Sequence, residues 1–366
     1  MTGVNRPGGS SAAAAAEGRP AAAGRRLRRA AFSGALLAWT ALAGCADLPG
    51  PAEDPRPVVR GPLPGRVQHP LALTQLAFRP RRAAVLDAGE RRFGALVAYS
   101  SIEEIRSRGG QRAAFDGELL RAVASVRQGL SDGTDVEVEL PLMLTTSGFL
   151  DSFIESWHTF FFLPDGGRDL HDDDQYAMEL SDGPALLYRL EEDQVGIGDV
   201  PVFFTTRLRA EDESGPALAW RFGIELPTGS EGRGFGNGAI DLGLGLLFER
   251  SRGRFTATGG IDYRVPGQST LFREAAGHEL SERLGLELGG EYRWSDGCSL
   301  LAQLVWVSPL VRSVALEEID HAMADLGLGA AWDVGADSSL ALSFHEDLVS
   351  ATGPDFSVMV SWSLRP

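Results

Sequence analysis

Ile240-Asp241-Leu242-Gly243-Leu244-Gly245-Leu246 alternates without a break, a large apolar side chain at every even position and an acid or glycine at every odd one. Successive side chains of a β-strand point to opposite faces, so this stretch is a strand with one greasy face and one narrow, polar face. The same period runs through Val136, Val138, Leu140, Leu142 and Leu144 against Glu137 and Glu139. It continues through Leu218, Trp220, Phe222, Ile224 and Leu226 against Arg221, Gly223 and Glu225. Leu284, Leu286, Leu288 and Tyr292 alternate with Gly285, Glu287, Gly289, Glu291 and Arg293. Leu326, Leu328, Ala330 and Trp332 follow, then Phe356, Val358, Val360, Trp362 and Leu364.

Connections decide between a sandwich and a barrel. Tight turns rich in Gly and Asp fall at 131–134, 211–215, 251–254, 295–298 and 335–338. Longer segments fall between them, at 105–116, 149–194, 229–238, 266–279, 308–321 and 347–355. Strict alternation of short and long connections is the habit of outer-membrane barrels, whose periplasmic turns are short and outward loops long. The expected fold is therefore all-β: an antiparallel transmembrane β-barrel of about twelve strands, with one helical insertion in an outward loop and both termini on the periplasmic side. A further hairpin from Tyr176–Leu180 and Pro184–Leu190 would raise the count to about fourteen and keep it even. Trp220, Trp294, Trp306, Trp332 and Trp362 lie towards strand ends, where an interfacial girdle places amphipathic rings; as buried core residues they would be equally ordinary.

Composition narrows the function. Across 366 residues there are 50 acids against 34 basic residues, all of them Arg, giving a net charge of −16. Absence of Lys excludes a P-loop ATPase and a Schiff-base enzyme, and the acidic balance disfavours nucleic acid. No cofactor is expected.

The first part of the chain reads as an address. Arg25, Arg26, Arg28 and Arg29 precede an apolar run from Ala30 to Ala43, too short to span a bilayer, so 1–44 is expected to be a signal peptide with a low-complexity leader. Leu42-Ala43-Gly44-Cys45 resembles the lipobox of bacterial lipoproteins, which implies lipidation of Cys45; ordinary cleavage after Ala41-Leu42-Ala43 is the alternative. Residues 45–92 are expected to form a lipid-anchored, Pro-rich tether and lead-in. Seven Pro between Ala46 and Pro70 oppose both helix and ladder there. Residues 93–366 would form the barrel, with 148–194 as its helical and loop insertion.

Several stretches carry a family resemblance. These are Gly61-Pro62-Leu63 with Gln68-His69-Pro70, Tyr99-Ser100-Ser101, the run Gly148 to Glu155 with His158, Gly166-Gly167-Arg168, Gly196-Ile197-Gly198-Asp199, and Pro227-Thr228-Gly229-Ser230 with Gly236-Asn237-Gly238. Over most of residues 60–366 the chain resembles a family of bacterial outer-membrane barrels known only as domain of unknown function 3187. The resemblance implies architecture and brings no activity with it. The Pro-Thr-Gly-Ser and Gly-Asn-Gly pattern is also similar to barrels proposed to pass small aromatic or hydrophobic compounds. The chain end lacks the terminal aromatic of barrels delivered to the assembly machinery, although Trp362 and Leu364 keep the alternation.

Three groups of residues are candidates for function. Expected to line the lumen are Glu137, Glu139, Arg221, Glu225, Asp241, Glu249, Asp262, Arg264, Glu287, Glu291, Arg293 and Asp333, nine acids against three bases. An open passage so lined favours cations; paired across strands, the same residues would plug a narrow barrel. From Gly148 the period changes to that of an amphipathic helix, which makes Asp151, Glu155, Trp157, His158 and Arg168 a candidate gate or plug, or else a helix that packs over the barrel mouth. Asp172, Asp173 and Asp174 are a weak candidate for a cation, against a solvated charge run. Ser343 and His345, two apart on one strand face, raise a hydrolase reading. The expected function is a narrow small-solute channel, porin-like, in the outer membrane of a Gram-negative cell, and not an enzyme. A surface scaffold or a membrane-embedded lipid hydrolase are the alternatives. Expected partners are outer-membrane lipid, the barrel assembly machinery and a small-molecule solute, with no nucleic acid; the oligomeric state is open.

Overall fold

The computed structural model describes residues 58–147, 176–311, 314, 316–348, 353–354 and 356–365. Cys45, the gate candidates Asp151, Glu155, Trp157, His158 and Arg168, and Asp172 to Asp174 lie outside the described residues.

Among the described residues fifteen strands follow in chain order: β1 (Arg91–Arg108), β2 (Gln111–Ser131), β3 (Thr134–Thr146), β4 (Ala177–Asp182), β5 (Ala185–Leu190), β6 (Val195–Ile197), β7 (Val200–Arg209), β8 (Ala217–Leu226), β9 (Asp241–Arg252), β10 (Phe255–Val265), β11 (Arg283–Ser295), β12 (Cys298–Val307), β13 (Met323–Asp333), β14 (Ser338–Asp347) and β15 (Phe356–Leu364). Twelve of them close a ring. Each of β7 to β15 pairs antiparallel with the next, β15 pairs with β1, β1 with β2, β2 with β3, and β3 with β7. Phe93 opposite Leu364 brings the two ends of the ring to one rim, called here the near rim. Closure leaves no unpaired edge among these strands, which is what a bilayer without water demands of a sheet.

The hairpin at 177–190 forms but does not join the ring. β1 and β2, at 18 and 21 residues, are longer than the roughly 9–11 residues a tilted strand needs to cross a bilayer. Their far ends project past the barrel, and β4 pairs there with Gln111 to Asp116. The even count is thus twelve, because the extra hairpin finds its partner above the rim.

Alternation translates directly into exposure. On β9, Leu242, Leu244 and Leu246 are 44%, 55% and 53% exposed, whereas Asp241 is 1% exposed. On β11, Leu284, Leu286 and Leu288 point outward while Glu287 and Glu291 are buried. A continuous apolar exterior is an aggregation surface in water and a natural one in lipid. Towards the near rim Phe255, Tyr292 and Trp294 form a chain of ring contacts, with centroids 4.8 and 6.3 Å apart, and Trp294 and Trp362 are exposed.

The far loops carry short helices, α1 (Thr270–Ala276) and α2 (Glu317–Asp320). Ser269 caps α1 by accepting a hydrogen bond from Phe272 N at 3.2 Å, and Gly277 ends it at φ 70°.

Candidate functional site

The described part of the sequence ahead of β1 is not a free tether. Residues 58–90 enter the barrel at the near rim, climb to the far end, turn, and descend to feed β1. The climb is fixed by Arg60, whose guanidinium pairs with Asp333 through Nε at 2.9 Å, and by Gly61 N, which donates to Glu291 Oε2 at 2.8 Å. Leu63 then packs on Leu301 and Ala331 of the wall. At the far end a 3-10 turn, Pro70–Thr74, marks the apex. The descent is held by Leu76 N to Asp241 Oδ2 at 2.8 Å and by Arg79 Nε to Glu139 Oε1 at 2.9 Å. Arg82 Nη2 to Glu249 Oε1 at 2.6 Å and Leu86 N to Asp135 Oδ2 at 3.0 Å continue it downward. Arg81 pairs with Glu137. The tether reading fails for 58–70 because proline opposes regular structure but not burial: an extended segment whose N–H groups reach wall carboxylates is satisfied without a ladder.

The apex is self-contained. Arg66 donates from Nη2 to the carbonyls of Ala72 and Gln75 at 2.5 and 2.9 Å, tying the two legs together. His69 Nδ1 accepts from Leu71 N at 3.2 Å, with its ring edge-on to Phe115 at 4.6 Å. Burial, and then the nearby Arg283, push His69 down to about 3, so it stays neutral. Above the apex Val67, Leu71 and Leu73 belong to an apolar cluster with Phe235, Phe272, Leu310 and Ile319 from the outward loops.

Glycine lets the segment approach the wall. A Cβ at Gly243 would lie 2.4 Å from Phe78, and one at Gly65 would lie 2.4 Å from the His345 ring. Glycine on the inward face is therefore contact surface for the plug.

Ten of the candidate lumen residues, Glu137, Glu139, Arg221, Glu225, Asp241, Glu249, Asp262, Arg264, Glu287 and Glu291, are buried inside the ring, while Arg293 and Asp333 are half-buried near its near rim. Their contacts go largely to the plug. Arg264 pairs with Asp262 on its own strand, and Arg221 lies over Phe203 and Phe78 at 4.0 and 5.3 Å from the ring centroids. The structure adds Arg60, Arg66, Arg79, Arg81 and Arg82, which sequence reasoning passed over. The signal for them was the acid excess of the wall, since buried carboxylates need cations and the run Arg79-Pro80-Arg81-Arg82 supplies three.

Outside the lumen wall, Asp199 organises the long loop after β8. Its carboxylate accepts from Gly229 N at 2.7 Å and Asn237 N at 3.1 Å, and burial pushes it up to about 6.

Ser343 and His345 do meet. Ser343 Oγ lies 2.9 Å from His345 Nε2, and His345 Nδ1 lies 2.8 Å from Asp325 Oδ1. Three groups in line resemble a hydrolytic triad by geometry. However, the backbones at Gly65 and Gly327 sit against the imidazole, Gly329 sits against Ser343, and His345 is 1% exposed. Ser343 itself is 4% exposed, so the hydroxyl has no open approach for an acyl group.

A closed ring of twelve antiparallel strands, apolar outside and polar within, defines a transmembrane β-barrel. Residues 52–365 match the family described as protein of unknown function (DUF3187), and the chain belongs to that family. Among solved structures it is similar to the COG4313 outer membrane channel from Pseudomonas putida F1, at 15% identity, TM-score 0.53, covering 79% of this chain and 100% of that one. Weaker likeness extends to the NanC porin, at 8% identity, 75% and 100% coverage and TM-score 0.44. The P. putida toluene transporter TodX stands at 10%, 82% and 93%, and 0.35. No curated protein matches the chain.

Proposed function

We propose that this protein is an outer-membrane channel for a small solute, closed at rest by its own N-terminal segment. The observation that carries the reading is the threading of residues 58–90 through the ring and back, its legs tied to the wall by ion pairs alongside the smaller apolar contacts of Leu63 and Phe78. A permanently filled barrel has a cheaper solution in large apolar side chains, whereas buried ion pairs are replaceable and separable. Support for conduction comes from the likeness to the P. putida F1 outer membrane channel.

In this reading the N-terminus lies on the periplasmic side, the signal peptide has been removed, and a lipid on Cys45 holds the chain beside the near rim. Outer-membrane lipid surrounds the apolar band, and the assembly machinery inserts it. Displacement of the plug takes away Arg60, Arg66, Arg79, Arg81 and Arg82 and leaves the wall acids, so the open passage prefers cations.

Single-channel currents in a salt gradient test this. The intact protein should show rare openings, and replacing Arg79, Arg81 and Arg82 by Ser should give frequent, cation-selective ones. Silence from the folded, heat-modifiable variant would favour the non-conducting scaffold, which the filled lumen also suits.

A further inference from the structure

We propose that a cleft between the plug and the β1–β14–β15 wall, open at the near rim, binds a small organic anion carrying two or more negative charges as carboxylate or phosphate. Small inward residues create the space. Gly94 on β1, Ser125 on β2, Ser339 and Ala341 on β14, and Ser361 and Ser363 on β15 leave a cavity of about 180 Å³ beside the plug. An apolar cavity of about 150 Å³ accommodates benzene, so this volume suits a small organic molecule.

Charge selects the occupant. The lining holds eight arginines and two carboxylates, Glu137 and Asp333. Five of the arginines have a carboxylate of their own: Arg60 with Asp333, Arg79 with Glu139, Arg81 with Glu137, Arg82 with Glu249 and Arg127 with Asp135. Arg92 and Arg365 pair with no acid among the described residues, and Arg221 shares Glu137 with Arg81 at 3.6 Å. Nε of Arg81, Arg92, Arg127 and Arg221 is buried without a hydrogen-bond partner, and all four side chains line this cleft. These Nε atoms carry almost no accessible surface, so what draws a ligand is the net positive charge of the lining, and the planar forks of Arg92 and Arg365, which have no acid among the described residues, match carboxylate and phosphate oxygens. Ser361, Ser363 and Ser339 add hydroxyl donors on the opposite side. A cation is repelled here, and an apolar ligand would strand the donors. The site does not depend on conduction, since it exists with the plug in place.

The test is isothermal titration of the purified full chain in neutral detergent at low salt, with tricarballylate and inorganic phosphate as probes. One saturable site is expected, weakened at least about tenfold by Arg92→Ser with Arg365→Ser, both towards the rim, and by added chloride. Ser361→Leu, which fills the cleft and keeps every charge, should abolish the signal in a barrel that remains heat-modifiable. Arg108→Ser with Arg273→Ser, at the far rim, removes the same charge and should leave binding unchanged. If soluble probes give no heat but cardiolipin, with its two phosphates, co-purifies with the parent and not with the Arg92/Arg365 variant, the anion is a lipid headgroup. Absence of both, or equal loss in the far-rim variant, overturns the proposal.

Discussion

Asp241 Oδ2 accepts the backbone N–H of Leu76 at 2.8 Å, a bond between residues 165 apart that joins the plug to the wall. The other oxygen of the same carboxylate accepts from Asn237 Nδ2 and Gly267 N, both at 2.7 Å. One side chain thereby holds the descending leg and two outward loops.

Asp241→Ala should strand three donors at once. Each buried unpaired donor costs about 1–3 kcal/mol, and water entering the vacated space offsets part, so a loss of about 2–4 kcal/mol is expected. Urea titration of heat-modifiable mobility measures it, and faster trypsin cleavage after Arg81 or Arg82 should accompany it. An unchanged midpoint would mean the three contacts are incidental.

Arg79 and Glu139 form a buried ion pair, both sides at most one-tenth exposed. Removing one partner leaves a buried charge, so Arg79→Ser should destabilise by about 3–5 kcal/mol, and adding Glu139→Gln should recover most of it. The double-mutant cycle isolates the coupling. Additive losses would show that the pair is solvated in the folded barrel.

Gly65→Ala places a methyl group 2.4 Å from the His345 ring, which Gly327 confines from the other side. Overpacking of this kind costs about 1–3 kcal/mol, borne here by plug docking. More frequent openings in planar bilayers are expected, with barrel assembly intact.

Asp199 is held at about 6, above its ordinary 3.8, chiefly by burial. The folded state therefore binds the extra proton, so this group's contribution to stability is full below about pH 4 and is lost as pH rises through about 6. Amide exchange in 228–238, corrected for intrinsic rates, should show less protection at pH 7 than at pH 5. Asp199→Asn should flatten that dependence; an unaltered slope in the variant would assign the effect to another group.

Ser343 should resist a fluorophosphonate probe, because Ser343 and His345 are 4% and 1% exposed and the hydroxyl has no open approach. Labelling that disappears in Ser343→Ala would revive the hydrolase reading.

How much of this was legible in advance differs from element to element. Leu242, Leu244 and Leu246 against Asp241, Gly243 and Gly245 state both faces of β9 outright, because strand period two is a covalent property of the backbone. Tight turns at 253–254 and 296–297 likewise follow from Gly beside polar residues. The hairpin at 177–190 was readable as a hairpin, yet its place was not, since only the extra length of β2 offers it an edge. The Pro-rich approach to β1 looked solvated by composition. Its burial became visible only once the wall's carboxylates had converged on Arg60, Arg79, Arg81 and Arg82 from strands far apart in sequence.

Local alternation, turn chemistry and the even strand count determined from the sequence alone that this chain makes a closed antiparallel barrel, because each depends on residues within a few positions of one another. What fills the barrel was decided by tertiary structure. Glu291 meets Gly61 across 230 residues and Glu139 meets Arg79 across 60, and such pairings exist only after ring closure has brought every inward carboxylate within reach of one central segment. The near-rim cleft has the same origin: glycine, serine and alanine on four strands are unremarkable singly, and become a cavity ringed by arginines only where the closed wall faces the plug.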